Sequence, residues 1–246
     1  MQQAAIPTEV AGGWKFEKVL GQGADGVVAL FTKADQRAVL KFPTATGGAS
    51  FEREKAVSAV IREQPRPHLL GQKFASDSFV AQDFVDGITL FRFGQDYDFN
   101  VDTANGIVSQ IEAGVAALHQ LGFAHNDLHL ANMLIDPVTR NIWIIDYGRS
   151  AYTWEEMKGV PVTENDRAFI AATAAWLRNL ATRPCLTRNK PSARELQKAD
   201  QTYQRARDNA LAALKPGLLP LKPPPPQVKP PPLVPFTMQL PNFPVQ

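Results

Sequence analysis

The chain has 246 residues, 44% hydrophobic and 20% charged, a balance that suits a folded globular body and excludes a wholly disordered polymer. Its 26 basic and 24 acidic residues are interspersed to a net charge of +2, which leaves no basic stripe for nucleic acid or anionic lipid. The single cysteine, Cys185, has no internal disulfide partner, residues 1–10 lack a secretory pattern, and the longest mostly apolar stretch, residues 168–177, is too short to span a bilayer. The expectation is an intracellular, cytoplasmic protein with no membrane or nucleic-acid partner.

Residues 14–42 hold two β-rich runs, WKFEKVL and VVALF, on either side of the glycine-bearing GQGADG, with a third run, RAVLKF, after a polar turn. The pattern predicts an antiparallel sheet. Residues 51–61 read as a short helix that places Phe51, Val57, Val60 and Ile61 on one face, with Glu54 on or beside it. Two further strands follow between residues 69 and 85, separated by Ser76-Asp77-Ser78, and Gly87 ends this first lobe.

From Asp102 or Thr103 the apolar spacing becomes helical, through Ile107, Ile111, Val115 and Leu118 to a stop at Gly122. Short strands at 133–135 and 142–145 flank the DPVTRN turn, another helix covers 164–180, and a last one opens at Ser192 in a capping box with Glu195. Residues 215–246 hold 12 of the 20 prolines and no periodic apolar face, which predicts an extended polyproline segment. The expected organisation is an extension at 1–11, a body at 12–214 with lobes meeting near residues 87 and 88, and a proline-rich tail. The fold class is α+β.

Five stretches carry chemistry. Gly21, Gly23 and Gly26 lie on a turn between strands, where missing Cβ atoms let backbone amides approach a phosphate. A strand rather than a helix follows, which disfavours a dinucleotide loop. Strand alternation turns Lys41 to the same side as Val39. Glu54, set among apolar neighbours, needs a cation more than Glu52 does, and Lys41 is the candidate. In HNDLHLAN, Asp127 can accept a proton and Asn132 can bind a divalent metal, and Asp146 in IIDYG adds a carboxylate. His68, His119, His125 and His129 form no recognisable metal-ligand spacing.

In this order, GQGADGVV, VLKF, the Glu54 helix, HNDLHLAN and DYG resemble the protein kinase superfamily. The resemblance implies a small two-lobed fold, with an antiparallel sheet and one helix in the N-terminal lobe and a mainly helical C-terminal lobe. It implies ATP and Mg2+ as cofactors. The Gly21–Gly26 loop would cover the phosphates, Lys41 would contact them and pair with Glu54, Asp127 would be the catalytic base, and Asn132 and Asp146 would hold magnesium. FVAQDFVDG would be the hinge, with Gln82 at its gate, Asp83 to Val85 offering backbone groups to adenine, and Val28, Val39 and Leu134 sandwiching the base. Asp166 would brace the catalytic loop, a place that a helix cap would also explain. His125 would pack rather than react.

The pattern departs from the family in places. Asn126 stands where many regulated kinases carry an arginine that reads a phosphorylated loop, and the resemblance then implies constitutive activity. His129 replaces a lysine, so that HNDLH is similar to haspin-type and small-molecule phosphotransferase loops. Tyr147 replaces phenylalanine, and Asp166 follows Asp146 by only 20 positions, which shortens the peptide-docking segment. Ser150, Tyr152 and Thr153 within it are candidate phosphate acceptors. The expected function is transfer of the γ-phosphoryl group of ATP to a Ser/Thr protein. A small hydroxyl compound as acceptor, or a pseudokinase scaffold, remain the alternatives. Lys229, Pro232 and Pro235 fit a K-x-x-P-x-x-P ligand for an SH3-type partner.

Overall fold

In a computed structural model, residues 6–182 are described, apart from Ala24 and Lys158. Cys185, the helix expected from Ser192 and the proline-rich segment lie outside the described residues.

Strands form first along the chain, where β-branched and aromatic residues alternate with polar ones. They are β1 (Glu9–Val10), β2 (Trp14–Gln22), β3 (Gly26–Lys33) and β4 (Gln36–Pro43). Helix α1 (Gly48–Glu63) follows, then β5 (Gln72–Ala75) and β6 (Val80–Asp83). These strands make one antiparallel sheet in the order β1-β2-β3-β4-β6-β5. The sheet starts earlier than the expected boundary at residue 12, because Glu9 pairs with Lys15 while Ile6 and Val10 pack on the sheet's core. A two-residue strand is too short to show alternation in the sequence.

The second lobe contains β7 (Ile88–Thr89), α2 (Leu90–Asp96), α3 (Val101–Gln120), β8 (Phe123–Ala124), β9 (Met133–Ile135), β10 (Ile142–Ile144), β11 (Ala151–Tyr152), β12 (Glu156–Met157), β13 (Val160–Pro161) and α4 (Val162–Ala181). A single 3-10 turn, Leu130–Asn132, precedes β9. The order β10-β9-β7 makes a small antiparallel sheet. The long helix starts just before the expected residues, since Asn100 Oδ1 accepts from the Thr103 amide at 2.8 Å and so caps it in place of Asp102 or Thr103. The seven-residue α2 escaped the periodicity because it is too brief to repeat, although Thr89 caps it.

Two cores result. Ala29, Phe31, Ala38, Leu40 and Phe42 join Trp14, Phe79 and Ala81 on one face of the large sheet. The other core centres on α3, whose Ile107, Ile111 and Leu118 are fully buried, each worth roughly 1.5–3 kcal/mol of transfer free energy. Val57 and Ile61 of α1 belong to this second core, together with Tyr147. Helix α1 therefore packs on β4, β5 and β6 of the N-terminal sheet while Val57 and Ile61 reach into the C-terminal core.

Gly94 on α2 lies against the Trp176 ring and Leu180 of α4, with no room for a methyl group. Gly106 on α3 faces open space. Gly94→Ala should cost about 1–3 kcal/mol in urea unfolding, whereas Gly106→Ala should add about 0.5–1 kcal/mol. Equal effects would contradict this packing.

Candidate active site

The register of the large sheet decides which side chains share a face. Val28 pairs with Lys41, Leu30 with Val39, and Val39 also with Gln82 of β6. These side chains lie on the face opposite the aromatic core, as the alternation of Lys41 and Val39 requires. Val28, Val39 and Leu134 are half-buried members of strands whose neighbours are fully buried, so apolar surface remains uncovered there. A Cβ on Gly26 would come 2.6 Å from the Phe42 carbonyl oxygen, so this glycine is required by the close approach of β3 and β4. Gly21 and Gly23 have nothing within 4 Å of that position, which leaves their backbone approachable.

Lys41 sits between two carboxylates. Its Nζ donates to Asp146 Oδ1 at 2.5 Å and lies 3.5 Å from Glu54 Oε2. The side chains are 15% exposed for Lys41 and 2% for Glu54. Glu52, one face away, is exposed. Burial works against the Lys41 charge, but Glu54 and Asp146 outweigh it and the ammonium is held above its ordinary pKa. For Glu54, burial dominates over Lys41 and raises the carboxyl from 4.5 to about 7. Asp146 is also opposed by burial, yet contact with Lys41 holds it below the ordinary range. Glu54 Oε2 has no hydrogen-bond partner, consistent with a carboxyl that is an imperfectly satisfied neighbour of the cation.

The loop from His125 to Asn132 is built on a buried anion. Asp166 of α4, 0% exposed, accepts from the backbone amides of His125 and Asn126, each at 2.8 Å, and from His119 Nε2 at 2.9 Å. It lies a full turn inside α4, whose N-cap is Pro161, so it is not a cap. The His119 contact was not legible in the sequence, because 47 positions separate the pair. Asn126 has φ +62, a conformation that asparagine tolerates better than most residues. Its side chain donates to the Arg149 carbonyl and accepts from Asn165, tying loop, segment and helix by neutral bonds.

Within the loop, the Asp127 carbonyl accepts from the His129 amide at 2.9 Å and from Asn132 Nδ2 at 3.0 Å. The Asn132 amide nitrogen is thereby committed, and its oxygen is the group left for a cation. The Asp127 carboxylate is 29% exposed, with Arg149 Nε at 3.6 Å and His129 Nε2 at 3.8 Å. Arg149 also lies 3.9 Å from Asp25 on the glycine loop. Both arginine contacts were missed, since they depend on the two loops meeting in space. His125 is fully buried, bonds Ile145 through Nε2 at 3.0 Å, and packs on Tyr147.

Past the DYG triplet, β11 pairs with β8 and the β12–β13 hairpin leads directly into α4. Ser150 is 4% exposed, so its hydroxyl is not presented as the sequence suggested, whereas Tyr152 is half-buried with its ring stacked between Phe123 and Trp154. Thr153 is half-buried, with its amide bonded to Gly122. In the hinge, Gln82 donates to the Leu70 carbonyl at 2.9 Å. Lys73 engages the Asp83 side chain at 2.6 Å, and Arg37 covers Phe84 and approaches Asp86. With those side chains engaged elsewhere, backbone groups are what Asp83 and Val85 can offer, and the Val85 carbonyl already accepts from Gly87.

Among the described residues no group of three His, Cys, Asp or Glu side chains could hold a metal alone. A hard cation would draw on the Asp146 carboxylate, the Asn132 oxygen and oxygens of a ligand, and that donor set fits magnesium. Among the described residues no helix is long and apolar enough to cross a membrane.

A buried lysine shared by a helix glutamate and a triplet aspartate, facing a braced aspartate loop, defines a kinase-type centre. A family model described as protein kinase domain matches residues 14–172, and the chain belongs to the protein kinase family. It is 29% identical over 143 residues to the serine/threonine-protein kinase CBK1 of Pneumocystis carinii, covering 54% of this chain and 28% of that protein. With the Drosophila melanogaster serine/threonine-protein kinase grp it shares 27% over 154 residues, 58% of this chain and 30% of that one. The chain thus spans less than a third of these relatives. Among solved structures, the Cydia pomonella granulovirus kinase PK-1 superposes with a TM-score of 0.56 at 16% identity, over 80% of this chain and 92% of that one. The Mycobacterium tuberculosis PknI kinase domain gives 0.55 at 19%, over 82% and 100%. At these identities the superpositions establish the two-lobed fold.

Two outcomes follow. Because Glu54 binds its proton more tightly folded than unfolded, its contribution to stability falls as pH rises from 4.5 to about 7. Glu54→Gln should flatten that part of the pH–stability curve in thermal melts without nucleotide. Asp166→Ala should cost roughly 3–5 kcal/mol by stranding the donors it now accepts from, as read by denaturant unfolding.

Proposed function

We propose that the chain is an ATP-dependent phosphotransferase that moves the γ-phosphoryl group to a hydroxyl, with a Ser/Thr protein as acceptor. The observation that carries the reading is Lys41, held between Glu54 and Asp146 on the sheet face that also presents Val28 and Val39. In this reading Val28, Val39 and Leu134 sandwich adenine, while the Asp83 carbonyl and Val85 amide bond its edge. The backbone of Gly21, Gly23 and Gly26 covers the phosphates, and Lys41 stabilises their charge. Asn132 and Asp146 hold magnesium, which when bound neutralises phosphate charge. Asp127 Oδ orients the acceptor hydroxyl and takes its proton, and Asn132 keeps the loop folded around the Asp127 carbonyl.

The serine/threonine names of the relatives support a protein acceptor. The short path from Gly148 to α4 favours a second reading, a small hydroxyl compound, because little chain is left to dock a peptide. A scaffold would have no physical need for Lys41, Asp127, Asn132 and Asp146 together. The proline-rich residues 229–235 suit an SH3-type partner, and the chemistry suits an intracellular, cytoplasmic setting where ATP is present.

The test is transfer of labelled γ-phosphate from Mg-ATP to a panel of proteins and small hydroxyl compounds. Asp127→Asn should lower transfer by roughly 100-fold or more while leaving nucleotide binding intact. Label on protein supports the first reading and label on a small molecule the second. ATP binding without transfer to any acceptor would overturn both.

A further inference from the structure

Tyr147 stands at the middle of the triplet Asp146-Tyr147-Gly148 and is fully buried in the core shared by α1 and α3. A phenylalanine would fill the same volume. The hydroxyl adds direction: it donates to the Ile144 carbonyl at 2.7 Å and accepts from the Leu70 amide at 3.1 Å. Leu70 belongs to the segment between α1 and β5, which is already laid along β10. His68 O accepts from the Ile144 amide at 2.8 Å, the Leu70 amide also reaches the Ile144 carbonyl at 3.3 Å, and Leu69 bridges Ile144, so the hydroxyl reinforces a backbone contact made by the same two groups. The phenol is therefore bonded across the seam that joins this segment to the strand leading into the triplet.

The residues on either side show what such anchoring holds in place. Asp146 has φ +65, a left-handed conformation that aspartate, like asparagine, enters more readily than most residues but that its surroundings still have to hold. Gly148 backs onto Ser50 of α1 with no space for a side chain. Apolar burial favours an inward ring but is non-directional, so it does not choose among rotations of the backbone around it. Two hydrogen bonds from one oxygen do.

We infer that the Tyr147 hydroxyl is a positioning group for Asp146, pinning the triplet to residues 68–70 so that the Asp146 carboxylate stays beside Lys41 before any nucleotide or cation arrives. The inference rests on the phosphotransferase reading for what Asp146 binds. The pinning itself does not depend on it. The lock uses only groups within the chain and needs no added phosphate.

The experiment compares the full chain with Tyr147→Phe. Hydrogen exchange is followed without nucleotide over residues 144–150, with α3 as internal reference, and ATP binding is titrated with Mg2+ by calorimetry. Loss of these bonds should speed exchange across 144–150 by roughly 10-fold and raise the Mg2+ needed for half-maximal ATP binding by a similar factor, with α3 unchanged. Unchanged exchange, an unchanged Mg2+ requirement, or acceleration spread equally into α3 would each overturn the inference. If the wild-type chain transfers no phosphate to any acceptor while the local exchange and Mg2+ effects are both present, the inference stands and the phosphotransferase reading fails.

Discussion

The charge on Lys41 is the constraint on which the rest of the site depends. An ammonium only 15% exposed would be costly without anions beside it, and the two that serve come from different lobes, Glu54 on α1 and Asp146 after β10. Apolar packing of Val57 and Ile61 into the α3 core sets how close α1 comes, and the ion pair sets which way it faces. Position and rotation of the helix are thus fixed by different forces. The division also accounts for Glu54: its burial follows from the packing of α1, and its raised pKa from that burial working against a cation that Asp146 holds more closely.

Around Asp127 the same logic operates with hydrogen bonds. A carboxylate with no exposure, Asp166, gathers two consecutive backbone amides and an imidazole, so the loop above it has little freedom. The Asn165–Asn126–Arg149 ladder extends this support to the segment after the triplet through uncharged groups. Where an arginine would need a phosphate for company, Asn126 is satisfied by its neighbours. Its left-handed backbone gives a second, local reason for asparagine at this place.

Much of this was legible in the sequence wherever a period or a burial argument applied. Strand alternation placed Lys41 with Val39, and the apolar neighbours of Glu54 singled it out from Glu52, which is exposed. The long elements α3 and α4 were readable because they repeat often enough to show a face. What escaped was short or distant. Strand β1, helix α2 and the β12–β13 hairpin are too brief to carry periodicity, and the Asn100 cap lay just outside the window that the apolar pattern defined. His119 with Asp166, and Arg149 with Asp25 and Asp127, are contacts made by the fold across separations no local rule spans. Gly26 shows a subtler limit: the sequence suggests a phosphate loop, while its tightest requirement is the approach of β3 to the Phe42 carbonyl.

The most direct test of the central claim is an equilibrium titration of the full chain and of Lys41→Met with Mg-ATP and, separately, with adenosine. If the Lys41 cluster organises a phosphate site, Mg-ATP should bind the wild type at least roughly 10-fold more tightly than the variant, the scale of a charge-assisted contact, while adenosine should bind both alike. Equal Mg-ATP affinity for the two chains, or no binding to the wild type, would contradict the account.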